Sequence, residues 1–254
     1  MIPIGDDNSD RTITPIVNYL LVLINIFVFV YWQGLGQNDQ FTYSYATVPA
    51  EILSGHDIVT ASKIIVDPYT GESITMPGLG VTNIPVYLTL ITSMFMHGSL
   101  AHIAGNMLYL WIFGDNLENA MGHFRYLLFY LLCGVLAGLS HVFSIALTGQ
   151  SAYVPTLGAS GAISGVLGGY MLMYPTRRVY LWLFFFFTIS VPAFISVGFW
   201  FIFQVLNGMG IIGGAETSNV AYPAHIGGFI AGLILVKFFV QKERVLAYKR
   251  KPRW

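Results

Sequence analysis

Two polar side chains in otherwise apolar surroundings have the types needed for nucleophilic catalysis. Ser160 lies in the stretch GASGAISGVLGG, and His225 lies in the stretch AHIGGFIAG. A serine hydroxyl becomes a nucleophile when a neighbouring base takes its proton, and histidine is the most common base. Each residue also has a purely structural explanation, because a serine can bond to its own backbone and a histidine can hydrogen-bond between helices. The fold must bring the two together for chemistry to follow.

Rows of small residues predict that the helices carrying Ser160 and His225 pack against each other. Small residues recur every four positions in both segments: Gly161, Gly165 and Gly169 in the first, and Ala224, Gly228 and Gly232 in the second. A four-residue spacing lines one helix face, and small side chains let two helix backbones approach closely. Close packing of these rows would place the imidazole of His225 at the hydroxyl of Ser160. No Asp or Glu occurs at this depth, so a dyad is expected.

A second set of polar residues precedes these segments. His102 and Asn106 are four residues apart and therefore share a helix face. Together with the backbone N–H of Ser160, they can donate hydrogen bonds to the oxyanion that forms when a carbonyl is attacked. The alternative is that they only hydrogen-bond across helices. His97 precedes the helix, and its spacing from His102 does not suit a metal site on one helical face.

The composition is typical of a polytopic membrane protein. Of the 254 residues, 55% are hydrophobic and 9% are charged, whereas soluble domains carry about 25% charged residues. The formal net charge is zero, so no nucleic-acid partner is expected. Cys133 is the sole cysteine, which excludes an internal disulfide and a multi-cysteine zinc cluster. The acidic residues before the first apolar run are unlike the start of a cleavable signal peptide.

Six apolar segments predict an all-α bundle of six transmembrane helices. Each is long enough, or nearly so, to cross about 30 Å of hydrocarbon. Their approximate bounds are residues 16–32, 100–113, 126–147, 160–174, 179–205 and 224–240. The fifth segment is the longest and most aromatic, and Pro192 is expected to kink it.

The connection between the first two segments, residues 34–91, is predicted to be a long external loop. It contains the turn signal DPYTG at residues 67–71, between β-prone pieces at residues 64–66 and 73–75. This pattern predicts a hairpin. The loop is too short to form a separate domain with a sizeable core of its own.

Basic residues predict the orientation of the bundle. If both termini are cytoplasmic, nearly all Lys and Arg residues lie inside and Lys63 is the clear exception, as the positive-inside rule requires. The sequence thus predicts a multi-pass protein of the cell (inner) membrane. It would have a short cytoplasmic segment (residues 1–15), a membrane domain (residues 16–241) and a basic cytoplasmic tail (residues 242–254). Ser160 then lies toward the external end of its helix.

Taken together, the motifs resemble those of the rhomboid family of intramembrane serine proteases. The resemblance covers six spans and most of the chain. It rests on three motifs that occur in order: His97 with His102 and Asn106, GASG at residues 158–161, and AHIG at residues 224–227. Each motif is weak alone, and the combination is specific.

The resemblance implies a mechanism and a class of substrate. Ser160 would be the nucleophile and His225 the base. His102, Asn106 and the backbone amide of Ser160 would form the oxyanion hole. The residues that would support the site are His97, Gly158 and Gly161. The implied substrates are transmembrane proteins cut within the lipid bilayer near its outer face, and no metal or cofactor is implied.

Two features depart from the family pattern. Some members have an aromatic residue four positions after the nucleophile, stacked on the histidine, and Ser164 occupies that position here. Another group must therefore hold the ring of His225. Ser164 also shares a helix face with Ser160, one turn deeper. The Trp-Arg pair that many members carry in the first external loop is absent, which concerns the shape of the loop and not the chemistry.

Other functions remain open from the sequence. A catalytically silent rhomboid-like protein would bind membrane clients without cutting them, although such proteins usually lack the serine or the histidine. A small transporter would use the polar residues to line a path, but the chain shows no repeated half and no intramembrane acid. An esterase would need a strand before its nucleophile, and residues 151–157 are too short and polar to be a convincing core strand.

Overall fold

Helices make up most of the chain. The computed structural model describes residues 2–66, 73–183, 187–211 and 220–241. In chain order the helices are α1 (Ile16–Phe27), α2 (Asp39–Tyr45), α3 (Pro49–Ser54), α4 (Thr89–Thr92), α5 (Leu100–Met121), α6 (His123–Thr148), α7 (Ser160–Met173), α8 (Ala193–Gly208) and α9 (Tyr222–Phe239). The strands are β1 (Ile2–Asp6), β2 (Lys63–Val66), β3 (Ser73–Met76), β4 (Arg178–Leu183) and β5 (Phe187–Pro192). The predicted DPYTG turn and basic tail lie outside the described residues.

Among the residues that the structure describes, two helices, α6 and α9, are each long and apolar enough to cross a membrane. The stretch Val86–Phe95 and α5 are long and apolar enough together, and they meet at a bend of 82°. The remaining apolar helices are shorter: Ile16–Trp32, where α1 continues into a π-helical turn, together with α7 and α8. The predicted helical segments around residues 16–32, 100–113, 126–147, 160–174 and 224–240 are all helical, while the number that span a bilayer stays a prediction.

The fifth predicted segment is not one kinked helix. Its first part forms the hairpin β4–β5, and the helix α8 begins only at Ala193. β1 pairs antiparallel with β4, which gives a three-stranded sheet of order β1-β4-β5. The prediction of an all-α fold is therefore wrong for this region. Residues 179–183 and 187–191 are rich in aromatic and β-branched side chains, which favour strands, and Pro192 immediately precedes the first turn of α8.

The connection between α1 and α5 is folded and anchored. It contains α2, α3, and the hairpin β2–β3, whose register pairs Ile64 with Thr75. The predicted hairpin is thus confirmed in its strands. Thr47 and Thr156 exchange two backbone hydrogen bonds of 3.0 and 2.8 Å. This bridge ties the connection to the loop that leads into α7 and so positions Ser160.

The N-terminal residues pack against the far ends of α5 and α7. A polar cluster forms there from Asp6, Asp10, Arg11, Asp115, Asn116 and Arg177. Arg11 pairs with Asp115 at 2.8 Å, and the buried Arg177 pairs with Asp10 at 2.7 Å. Glu118, which is fully buried, accepts the backbone N–H groups of Val17 and Asn18 at 2.9 and 2.7 Å. It thereby satisfies two donors in the first turn of α1, which have no partner within their own helix.

Helix α7 packs at very close range against both α6 and α9, which also contact each other. A methyl group added at Gly232 of α9 would lie 2.0 Å from the carbonyl oxygen of Gly165, and one at Gly228 would lie 2.1 Å from that of Gly161. A methyl group at Gly165 would instead lie 2.4 Å from Cβ of Cys133 on α6. The small residues of α9 therefore approach the backbone of α7, as expected. The absence of a side chain at Gly165 also allows close packing of α6.

Candidate active site

Ser160 and His225 come within hydrogen-bond distance at one end of the bundle. Ser160 is the first residue of α7, and His225 lies in the first turn of α9 behind Pro223. The Oγ of Ser160 and the Nε2 of His225 are 2.8 Å apart. The contact of Gly228 with the carbonyl of Gly161, one turn deeper, brings the two helix ends together.

The second ring nitrogen of His225 contacts a residue that the motifs do not include. Nδ1 lies 2.8 Å from Oε1 of Gln204 on α8. An amide oxygen can only accept a hydrogen bond, so this contact requires the tautomer with hydrogen on Nδ1, in which Nε2 is free to accept the hydroxyl proton of Ser160. Gln204 is a side-chain amide in an otherwise apolar stretch of α8. Polar residues of this kind usually have a function in membrane segments, and that signal could have identified it.

Ser164 is occupied elsewhere. Its side chain is fully buried, and its hydroxyl donates to the backbone carbonyl of Ser160 at 2.6 Å. Two aromatic rings flank His225 in place of the missing aromatic at this position. Trp200 is tilted at a centroid distance of 6.1 Å, and Tyr222 meets the ring edge-on at 6.3 Å. Gln204 and these rings together hold the imidazole.

His102 lies against the loop that precedes Ser160. A methyl group added at Gly158 would lie 2.9 Å from Nε2 of His102 and 3.5 Å from Oγ of Ser160. The glycine thus lets the imidazole approach the hydroxyl. Its φ of +127° is also a conformation that other residues rarely adopt. The N–H of Gly158 donates to the carbonyl of Ser93 at 2.9 Å, which fixes the loop.

Asn106 and His97 differ in their surroundings. Nδ2 of Asn106 is buried and makes no hydrogen bond to the described residues, so this donor remains available. The ring of His97 is fully buried and meets that of His102 edge-on, with centroids 5.1 Å apart. The side chain of Gln33 holds the backbone of His97, accepting from its N–H at 2.8 Å and donating to its carbonyl at 3.1 Å. His97 therefore packs against the ring of His102.

Gly161, which follows Ser160, is a packing residue. A methyl group at this position would lie 2.7 Å from Cβ of Ala137 on α6. Its carbonyl receives the close approach of Gly228 described above. Gly161 thus permits contacts on two sides of α7 at the depth of the dyad.

A cavity of about 530 Å³ is lined by Trp200 and Gln204, which contact His225, but not by Ser160 or His225 themselves. Its walls come from α5, α8 and the sheet, and they are mostly apolar: Tyr109, Phe113, Val191, Trp200 and Phe203 are among them. Gln204 lines the same cavity. The cavity is therefore mainly apolar and is connected to the imidazole through the side chain of Gln204.

The reactive groups of the site are a hydroxyl and imidazoles, which can exchange protons. Among the described residues, no three His, Cys, Asp or Glu side chains are grouped so that they could hold a metal ion. Cys133, the single cysteine, is a buried free thiol. The chemistry that these residues can support is proton transfer between a hydroxyl and an imidazole, with nearby donors for a developing negative charge.

Comparison with known proteins identifies related sequences. The family model described as Rhomboid domain matches residues 85–242. Rhomboid protein 1, mitochondrial, from Saccharomyces cerevisiae is 29% identical over 171 residues, covering 66% of this chain and 47% of the relative. The Presenilin-associated rhomboid-like protein, mitochondrial, from Homo sapiens is 32% identical over 157 residues, covering 59% and 37%. Rhomboid protease GluP from Bacillus subtilis is 34% identical over 144 residues, covering 56% and 24%.

The chain thus spans about half or less of the length of these curated relatives. The match to the family model nevertheless covers more than half of this chain and includes the segments that carry Ser160, His225, His102 and Asn106. These segments belong to α5, α7 and α9, which form the site described above. The chain is a membrane protein and belongs to the rhomboid family.

Proposed function

We propose that this protein is an intramembrane serine endopeptidase that cuts peptide bonds in or near transmembrane segments of other membrane proteins. The observation that carries the proposal is the 2.8 Å contact between Oγ of Ser160 and Nε2 of His225, with Nδ1 held by Gln204. The name of the relative Rhomboid protease GluP agrees with this activity. We further propose six spans, with lipid and membrane-protein substrates as the partners.

The proposed reaction begins with proton transfer. His225 accepts the hydroxyl proton at Nε2 while Oγ of Ser160 forms a bond to the scissile carbonyl carbon. The carbonyl oxygen becomes an oxyanion, and the proposed donors are His102, Asn106 and the backbone N–H of Ser160. When the C–N bond breaks, the proton on Nε2 passes to the departing amine.

Hydrolysis of the acyl-enzyme repeats these steps with water. His225 takes a proton from water, the hydroxide oxygen attacks the ester carbon, and the C–O bond to Ser160 breaks. The proton returns to Oγ, so the enzyme is restored with no net change in its own atoms. The apolar cavity, which Gln204 connects to His225, is the proposed place for part of the transmembrane segment of a substrate.

The test compares Ser160→Ala with Ser164→Ala in purified protein and a single-span substrate in liposomes. We expect Ser160→Ala to lose cleavage by roughly 10³-fold or more. Ser164→Ala removes a hydroxyl that bonds to backbone and is expected to stay within about fivefold of the unchanged protein. A fluorophosphonate probe should label the unchanged protein at Ser160.

Undiminished cleavage by Ser160→Ala would refute the mechanism. Stable binding of membrane proteins with neither cleavage nor labelling would instead support the catalytically silent alternative. Solute flux through liposomes without labelling would support a transporter. His225→Ala should match Ser160→Ala in both assays, because the hydroxyl loses its base.

A further inference from the structure

Gln204 occupies a position that joins the cavity to the dyad. Its side chain is 7% exposed, lines the apolar cavity and places Oε1 2.8 Å from Nδ1 of His225. It comes from α8, whereas Ser160 and His225 come from α7 and α9. A third helix therefore contacts the imidazole directly, on the side opposite to the serine.

The hydrogen bond determines which nitrogen can act as the base. A neutral imidazole has one N–H, and the nitrogen without it accepts a proton. If Nε2 carried the hydrogen, it could not take the proton of Ser160. Acceptance by Oε1 of Gln204 favours the form in which the hydrogen is on Nδ1.

The side chain that contacts Nδ1 of His225, and so favours one tautomer of its ring, is neutral. Two titratable side chains lie close enough to His225 for an electrostatic interaction, the imidazoles of His102 on α5 and His141 on α6. On its own helix, the ring of Tyr222 meets it edge-on, and Trp200 of α8 packs on it from the cavity side. In the described part of the chain, the hydrogen bond to Nδ1 comes from a carboxamide and not from a carboxylate.

We propose that Gln204 is a positioning residue that sets the tautomer and orientation of His225, so that the base is correctly formed only while α8 is seated against α9. The inference rests on the proposed function, because it concerns the same dyad. It adds that the position of the cavity wall formed by α8 determines the tautomer and orientation of His225. A change in α8 that withdraws Oε1 would leave Ser160 and His225 in place and lower the rate of the chemical step.

Three variants test this role. Gln204→Met keeps the length of the side chain and removes the acceptor. Gln204→Glu keeps a carboxyl oxygen at the same place. Asn207→Leu is the matched control, since it removes from the same helix a carboxamide that donates to the carbonyl of Phe203 at 2.7 Å and not to His225. The unchanged protein and each variant are compared in melting temperature, in fluorophosphonate labelling rate, and in kcat and KM across pH.

We expect Gln204→Met to lower kcat and the labelling rate by about 10- to 100-fold. Losses of that size occur in metalloenzymes when a histidine ligand loses the residue that orients its ring. Its KM should stay within about twofold, because Met has a similar length and keeps the wall of the cavity apolar. Gln204→Glu should retain most of kcat and move the acidic limb of the pH profile upward, since a carboxylate stabilises the imidazolium. Asn207→Leu should resemble the unchanged protein.

Gln204→Met labelled as fast as the unchanged protein, with the same pH profile, would overturn the inference. So would an equal loss in Gln204→Met and Gln204→Glu at unchanged melting temperature, or an effect on KM alone. Failure of the proposed function has a different signature. In that case the unchanged protein is not labelled, or Ser160→Ala still cleaves.

Discussion

At the scale of single residues, Asp6 is a carboxyl group placed where a charge is costly. The hydroxyl of Tyr170 and Nδ2 of Asn116 both donate to its Oδ2. Burial nevertheless raises the pKa of Asp6 from its usual 3.8 to about 6, and the neighbouring Asp7 adds to the rise, while Arg177 opposes it. The folded protein therefore binds a proton at Asp6 more tightly than the unfolded chain does.

This shift gives a pH dependence of known sign. An acid with a raised pKa in the folded state releases its proton earlier in the unfolded chain, so stability falls as pH rises from about 4 to about 6 and then levels off. We expect Asp6→Asn to remove that part of the slope, because the amide stays neutral. Asp39→Asn, at an exposed position of α2, controls for net charge. Melting temperatures in detergent between pH 4 and pH 8 provide the measurement, and parallel curves for Asp6→Asn and the unchanged protein would contradict the prediction.

The residues of the site differ in how well the sequence predicted them. Ser160 and His225 were predicted because each lies beside a row of small residues at the same depth. Their catalytic roles stay predictions, although the structure places their side chains 2.8 Å apart. Gln204 was missed because no local spacing relates it to His225, from which it is separated by 21 positions. Only the presence of an amide in an apolar helix pointed to it.

At the scale of elements, the packing of α7 leaves no space for an added methyl group on α9. The carbonyls of Gly161 and Gly165 lie where side chains of Gly228 and Gly232 would begin. Backbone atoms cannot rotate away as a flexible side chain can, so overpacking here must move a helix. Since α7 and α9 carry the serine and the histidine, that movement would also separate the dyad.

Gly232→Ala tests the packing without touching the site. Its new methyl group would lie 2.0 Å from the carbonyl oxygen of Gly165. We expect a loss of about 1–3 kcal/mol in the free energy of unfolding, together with reduced cleavage. Gly105→Ala in α5 is the matched control, because nothing lies within 4 Å of the added methyl group. Equal melting temperatures for the two variants would show that α9 can shift to accommodate the change.

The fifth predicted segment shows where element prediction failed. Its apolar content favours a membrane helix, yet residues 178–183 form β4 and residues 187–192 form β5. Apolar length alone does not distinguish a buried helix from paired strands. The deciding partner was β1, which lies more than 170 positions earlier and supplies the edge of the sheet. Such a non-local pairing leaves no local pattern, whereas the β2–β3 hairpin, with strands close in sequence, was predictable.

At the scale of the whole molecule, two polar regions occupy opposite ends of the bundle. Ser160 begins α7, and the polar cluster lies near the other end of the same helix, where Tyr170 and Arg177 contact the N-terminal residues. Arginines in the cluster agree with the predicted cytoplasmic placement of this end. The predicted cell (inner) membrane location and the orientation stay predictions, and α6 allows a direct test of the orientation.

Cysteine labelling can determine the orientation, because the single native thiol, Cys133, is fully buried. Phe124 and Tyr153 lie near the two ends of α6 and are 71% and 57% exposed. In intact cells we expect a membrane-impermeant maleimide to label Tyr153→Cys and to reach Phe124→Cys only after permeabilisation. The reverse result would invert the orientation, and labelling of both in intact cells would show that α6 does not cross the membrane.

The strand pairing at one end of the bundle has a mechanical consequence at the other. β1 holds β4, the hairpin runs directly into α8, and the N–H of Ala193 is bonded to the carbonyl of Arg177 at 2.8 Å. Gln204 lies about 17 Å further along that helix, at about 1.5 Å per residue. Helix α8 is thus anchored to the sheet at its first turn and contacts the imidazole of His225 through Gln204 near its other end. A displacement of the sheet is therefore expected to move Gln204 relative to His225, because the two are joined through one continuous helix.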